Sequence, residues 1–535
     1  MKIRYLAFLL FWLAAPALGA EALVRGFSLS EWDREHVYDA HPDPTATEGK
    51  KQTQIVIDKL YDLGVRHIVL SPRARMKNPW DNELETITPP AQWRAERERY
   101  RRVIRYLRHK GMTVGLRPIF FVVDNAGKSP YVEVIPTEFS TPMLLAQRSL
   151  KNIVAGQVAA GLVTEALAHI DAAIAVLQGR KAARDASRQE DVPGESYLLR
   201  RARGVRARVA GLAGLQGAAL TAAASSIIAK IALVSHSRDW WHGNIEPTDP
   251  NAWFRAFQGY LDTYLLIAKT NKVDEFTLGA ELYSMTVGIE DQWDEHPYGF
   301  PGYWLNVLKN VRSKLTDVED PKWKPRIMYD INFTDDKNEG GDLDQFGGEF
   351  ARWKYRLADL AERGLRPEER PIWQMLVDFW KGLDAIGIDM YRSLASDNAE
   401  VPANFKQLTD VLTKRAMTYA TQISNALTAI EETPGIGVTK LVILKEIGFK
   451  AVEKGFIRPF GWEDESGVLS HDHQAAAYHA IFRAFWEPGW DWFKGVMIWD
   501  ASVKLDRHGP QMRTFSPIGK PRTEEALRQY FLDRK

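Results

Sequence analysis

Two glutamates stand where this chain could do chemistry. Glu446 ends the apolar run Lys440-Leu-Val-Ile-Leu-Lys-Glu446, just before the chain turns at Gly448, and Glu281 ends a similar run, Phe276-Thr-Leu-Gly-Ala-Glu281. Carboxylates delivered by the ends of two different strands suit retaining cleavage of a glycosidic bond. One acts as acid/base and the other, about 5 Å away, as nucleophile. Either glutamate alone reads more readily as a rim residue in an ion pair, so the inference rests on the two together.

The elements that must position them follow a repeating pattern. Short apolar, β-branched runs at 23–28, 66–71, 113–120, 276–281, 326–332, 385–390, 440–446 and 495–500 alternate with amphipathic helical patterns, the rhythm of a parallel sheet covered by helices. Between the second and third runs, Trp93, Tyr100, Val103, Ile104 and Leu107 form one apolar stripe before Gly111 stops the helix. Eight such runs predict an α/β fold, the (β/α)8 TIM barrel. Glu281 then ends strand four and Glu446 strand seven, at the C-terminal face where barrel active sites lie.

One segment breaks the rhythm. Between Pro130 and Trp240 no strand-like run occurs, and two stretches carry helical periodicity: one from Leu150 through Ile153, Leu162 and Ile170 to Leu177, the other from Val205 through Val209, Ile227 and Ile231 to Val234. The charged stretch 180–195, interrupted by Pro193-Gly194, separates them. This predicts a long α-helical hairpin, residues 137–238, inserted in the third βα loop. The uncharged stretch 209–229 is built from Ala, Gly and Ser with few large apolar residues, so a close-packed soluble hairpin is expected instead of a stable membrane span. A cleft lid, or a contact with an oligomer partner or a secretion system, are further uses open to it.

Lys2 and Arg4, the apolar stretch to Leu13 and the small residues to Ala20 fit a signal peptide over residues 1–20, with the barrel domain over 21–535 and a periplasmic or secreted product. The chain has no cysteine, which excludes thiol chemistry and zinc-thiolate sites, and its size allows a core without disulfides. Seventy Lys plus Arg against 69 Asp plus Glu leave no basic footprint for nucleic acid. Eighteen tryptophans suit stacking on sugar rings, although many must be core.

Several strings carry a resemblance. Trp241-His-Gly-Asn-Ile-Glu-Pro247, Asn251-Ala-Trp-Phe254, the run ending at Glu281, Asp384-Ala-Ile-Gly-Ile-Asp-Met-Tyr391, Glu446-Ile-Gly-Phe449 and Phe515-Ser-Pro-Ile-Gly-Lys-Pro521 resemble glycoside hydrolase family 113, a clan-A barrel family known for β-mannanases. The resemblance implies an endo-acting retaining hydrolase of a β-linked polysaccharide, mannan-like or an exopolysaccharide, with Glu446 as nucleophile, Glu281 as acid/base and no cofactor. It further implies that Tyr391 holds the nucleophile ionised by a hydrogen bond and that Trp499 forms a platform beneath the reacting sugar. Many clan-A hydrolases carry Asn before the acid/base; here the position is Ala280, a small residue often found in family 113.

Other strand-end residues are candidates for substrate binding: Arg117 on strand three, Asp330 and Asn332 on strand five, and Asp389 on strand six, each of which could instead brace neighbouring carboxylates. Trp240, Trp241, His242 and Asn244 follow the insert and combine aromatic surface with polar groups, or anchor the hairpin. Lys445 points away from Glu446 if the strand alternates. His471-Asp472-His473 has metal-like spacing, but Ser470 before a helix explains it as an N-cap. The stretch from Asp336 to Asp344 faintly resembles a calcium loop without its twelfth-position Glu. Two other functions compete: a non-catalytic glycan-binding or assembly protein of an exopolysaccharide system, and, on the histidines alone, a metal-dependent deacetylase.

Overall fold

The computed structural model describes residues 23–30, 51–86, 88–123, 131–132, 135–188, 193–235, 239–288, 298–335, 348–396, 398–461 and 466–533. The signal-peptide segment and the calcium-like stretch 336–344 lie outside them. Eight parallel strands close a barrel: β1 (Val24–Ser30), β2 (His67–Leu70), β3 (Thr113–Leu116), β4 (Glu275–Ala280), β5 (Arg326–Thr334), β6 (Ala385–Tyr391), β7 (Val442–Ile447) and β8 (Phe493–Ser502). Each pairs with its sequence neighbours and β8 closes on β1, so the expected TIM barrel is observed. All eight expected runs became these strands.

The third run is shorter in the sheet than in the sequence. Its second half, Ile119–Val122, leaves the barrel after Arg117-Pro118 and pairs with Arg73–Met76 in a small outer sheet. Proline cannot donate to a ladder, so the sheet is free to change partners there.

Helices cover the outside, as the helix Trp93–His109 illustrates: it buries Tyr100, Val103, Ile104 and Leu107 and ends before Gly111 at φ +73°. Inside the barrel, Val69, Met328, Ala385, Ile443 and Met497 pack with a buried ion pair, Lys445 to Glu275. Gly387 is required beside it, because a Cβ there would lie 2.4 Å from Lys445 Cγ and 2.1 Å from Asp330 Oδ1.

The insert differs from expectation. Four helices, not a hairpin of two, occupy the third βα connection: α1 (Thr137–Val154), α2 (Ala159–Ser187), α3 (Pro193–Gly211) and α4 (Gly217–Ser235). Each packs on the next and α4 returns to α1, enclosing a core of their own that includes Leu150, Ile170, Leu198, Val209 and Ile231. The apolar periodicity runs on through both missed breaks, at 155–158 and 212–216, where Gly156 (φ +87°) and Gly217 (φ +56°) turn the chain. The stretch 180–187, expected as linker, is the last part of α2. The uncharged stretch 209–229 is broken and is no single helix. Among described helices α2 is long and apolar enough to cross a membrane, yet it buries Val163, Ile170, Ala173 and Leu177 within the bundle. A two-residue ribbon, Tyr131–Val132 against Asp239–Trp240, brings the ends of the insert together.

Candidate active site

Arg117, placed at the end of β3, is the hub of the barrel's C-terminal mouth. Its side chain is 2% exposed and its three nitrogens reach three carboxylates on three other strands. Nε donates to Asp330 Oδ2 on β5 at 2.7 Å, Nη2 to Asp389 Oδ2 on β6 at 2.6 Å, and Nη1 to Glu446 Oε1 on β7. Tyr391, two residues beyond Asp389, donates its hydroxyl to Glu446 Oε2 at 2.7 Å. Both oxygens of Glu446 are thereby held, which fixes its rotamer.

Lys445 and Glu446 both reach the barrel interior, against the expectation from strict alternation. Ile388 of β6 pairs Leu444 and Asp389 pairs Glu446, so Lys445 is the extra residue of a bulge that re-aims its neighbour. Lys445 still makes its ion pair with Glu275 and not with Glu446.

Glu281 stands across the mouth in different surroundings. Asn332 Nδ2 donates to its Oε1 at 3.0 Å, and His242 Nε2 lies 3.1 Å from its Oε2. Its backbone adopts φ +57°, a conformation costing a residue with a side chain about 1–3 kcal/mol, and its N–H donates to the Asp330 carbonyl at 2.9 Å. Its carbonyl oxygen lies under the turn of 242–244, where a Cβ on Gly243 would come within 2.6 Å of it. Glycine in the Trp241-His-Gly-Asn string is therefore what lets that turn approach the Glu281 backbone.

Burial pushes Glu446 above the ordinary carboxylate range, while Arg117 and the Tyr391 hydroxyl pull it back. Burial raises Asp330 as well, opposed by Lys445 and Arg117, and lifts Asp389 well above its usual value with Arg117 opposing. Glu446 accepts two hydrogen bonds from good donors, the guanidinium and the phenol, and both favour its ionised form. Burial and the adjacent Glu446 keep Tyr391 a protonated donor.

Of the expected substrate contacts, Arg117, Asp330 and Asp389 are engaged with one another and with Glu446, and Asn332 with Glu281, so these four brace the two glutamates. Asn244 turns inward, accepting from the Trp241 N–H at 2.9 Å, and is buried. Trp241 packs on His242 and Tyr283. Trp499, Tyr391 and Phe515 form an aromatic cluster with Phe460 beside the glutamates, and the Arg117 guanidinium lies 6.0 Å from the Trp499 ring centre. The side chain of Trp240 lies outside what the structure describes. Ser470 accepts from the His473 N–H, so the histidine pair is the N-terminus of a capped helix, with His473 Nδ1 accepting from the Lys454 N–H.

Sequence reasoning missed Glu349. It lies fully buried behind Asn332, accepting from Tyr329 (2.9 Å), Trp353 (3.1 Å), Thr286 (3.2 Å) and the Asn332 N–H (3.1 Å). Burial pushes its carboxyl up to about 8 against those hydrogen bonds. No strand-end or motif signal marked it.

Residues 372–520, which include Tyr391, Glu446 and Trp499, match the family profile of Glycoside Hydrolase Family 113. No curated protein matches the chain. Similar solved structures include the family 113 β-mannanase of Alicyclobacillus acidocaldarius in complex with ManMIm, 13% identical with a TM-score of 0.49, covering 96% of this chain and 98% of that one. A family 113 β-1,4-mannanase is 12% identical, TM-score 0.47, over 96% and 100%. A family 5 mannosidase of Rhizomucor miehei is 10% identical, TM-score 0.43, over 96% and 93%.

Proposed function

We propose that this chain is a retaining, endo-acting glycoside hydrolase of a β-linked polysaccharide, mannan-like or an exopolysaccharide. The observation that carries the reading is the pair of glutamates at the ends of β4 and β7, held by different partners: Glu446 by a guanidinium and a phenol, Glu281 by an amide and an imidazole. The match of residues 372–520 to family 113 supports the same class.

The chemistry these surroundings support is double displacement. The Glu446 carboxylate attacks the anomeric carbon while the Glu281 carboxyl gives its proton to the departing glycosidic oxygen. The C–O bond breaks and a glycosyl ester forms on Glu446. Glu281, now a carboxylate, takes a proton from water, whose oxygen attacks the same carbon and releases Glu446. Arg117 and Tyr391 stabilise the charge that returns to Glu446 at each turnover, and His242 and Asn332 hold Glu281 in the rotamer that both proton transfers need. The reading includes export, which rests on residues 2–20 and is tested by cell fractionation.

The test is release of reducing ends from β-1,4-mannan and a panel of β-linked glycans. Glu446→Ala and Glu281→Gln should each lower it by about 10³-fold or more, and the first product should keep the β configuration by NMR. Glycan binding by calorimetry without any reducing-end release would favour a binding or assembly role instead.

A further inference from the structure

Among the contacts between the insert and the barrel is a buried charge pair. Arg201 on α3 pairs with Glu246, their side chains 6% and 0% exposed, and Tyr197 one turn earlier directs its hydroxyl to Glu246 at 3.4 Å. The Tyr197 ring packs 5.3 Å from Trp80, a barrel-loop residue that belongs to the core of the bundle. The same loop is stitched to the segment beyond Glu246 by Glu246 N–H to Pro79 and Thr248 N–H to Trp80. A fully desolvated ion pair is a poor source of net docking energy, and its best-attested use is fixing register. The register in question is that of residues 241–246.

That segment runs from the bundle's anchor to the acid/base. Glu246 is held by Arg201; the Ile245 carbonyl accepts from Ser284 Oγ at 2.8 Å; Trp241 and Asn244 lock the turn between them with two hydrogen bonds. His242, within that turn, meets Glu281. Three residues, Gly243 to Ile245, thus separate the ion pair from the imidazole that touches the carboxyl.

We infer that the four-helix insert is a positioning module for Glu281, acting through Arg201, Glu246 and the 241–246 turn, with Arg201 a positioning residue. The inference rests on the glycosidase reading for its kinetic consequence but not for its geometry. Loosening the turn lets His242 retreat and frees the Glu281 rotamer, and misplacement of about 1 Å is worth up to about a hundredfold in rate. The nucleophile's partners, Arg117 and Tyr391, lie on barrel strands and are untouched by it.

The experiment compares full-length wild type, Arg201→Met and Glu246→Gln on β-1,4-mannan and on 2,4-dinitrophenyl β-mannobioside, whose leaving group departs without protonation. The expected result is a fall of about tenfold or more in kcat/KM on mannan with the dinitrophenyl value within about twofold. Arg201→Lys should recover part of the loss. Equal losses on both substrates, or none on either, overturn the inference. A second readout needs no turnover: the 15N resonance of the His242 Nε2, assigned by its response to Glu281→Gln, should move in Arg201→Met and Glu246→Gln. If it moves but wild type cleaves neither substrate, the catalytic reading fails and the positioning stands; if it stays fixed in both variants, the positioning is refuted.

Discussion

Replacing Arg117 by Met should move the proposed hydrolysis to higher pH. The guanidinium compensates three buried carboxyls, and Glu446 accepts from its Nη1. A hydrogen bond between charged partners contributes about 1.5–3 kcal/mol, and a tenfold change in proton affinity corresponds to about 1.36 kcal/mol, so without this bond Glu446 should ionise roughly one to two pH units higher. On the proposed mechanism the acidic limb of kcat/KM reports ionisation of Glu446 and should move up by that amount, with much of the lost rate recovered above it. Tyr391→Phe, which removes the other donor to Glu446, should shift the limb in the same direction by less. Stability has its own sign. Without the cation, Asp330, Asp389 and Glu446 have folded values raised above their unfolded ones, so the variant is relatively stable at low pH and loses stability as pH rises, by about 3–5 kcal/mol at neutrality. Arg117→Lys keeps the charge and guards against outright unfolding. A pH–rate profile of folded variant whose acidic limb does not move would refute the assignment of Arg117 as the ionising partner.

Glu349 gives a stability prediction. Its folded value of about 8 exceeds the unfolded 4.5, so the folded state holds an extra proton between those limits and the wild type loses stability as pH rises through them, by up to about 5 kcal/mol. Glu349→Gln removes that slope: in denaturant titrations its stability relative to wild type should improve by several kcal/mol from pH 5 to pH 8, and a constant difference would refute it. Gly243→Ala should cut hydrolysis by about a hundredfold with a stability loss of about 1–3 kcal/mol, because a Cβ there meets the Trp241 ring at 2.4 Å and the Glu281 carbonyl at 2.6 Å; wild-type rates in the variant would show that the turn does not set the acid/base.

The barrel was legible because apolar runs of strand length recur with helices between them, and burial on both faces of β6 and β7 leaves no other use for such runs. The positions of Glu281 and Glu446 followed from the same count. Of their partners, Tyr391 was implied by the resemblance and is found on Glu446, whereas the meeting of Arg117 with Asp330, Asp389 and Glu446 spans more than two hundred residues of chain, and nothing local in a sequence states which rim groups will meet. The inward turn of both Lys445 and Glu446 depends on a bulge that carries no residue signature. In the insert, Gly156 and Gly217 were the available signals for two further breaks, outweighed by apolar periodicity that happens to continue in phase across them.

The third βα connection departs from the barrel at Arg117 and comes back at His242, and each of these residues contacts one of the two glutamates. Their attachments differ in kind. Arg117 ends a barrel strand and is clamped by carboxylates from three others, so the surroundings of Glu446 are fixed by the closed sheet itself. His242 lies on a turn fixed on one side by Ser284 and Gly243 and on the other by an ion pair to the insert. Glu446 is held by groups of the closed sheet, whereas the helical bundle encloses a core of its own. Of the two glutamates it is therefore Glu281 whose surroundings are joined to the insert, through His242 and the 241–246 turn. Any change at the bundle surface that reaches the reaction should show first in the proton-transfer limb and in leaving-group dependence, before it touches the formation of the glycosyl ester from activated substrates.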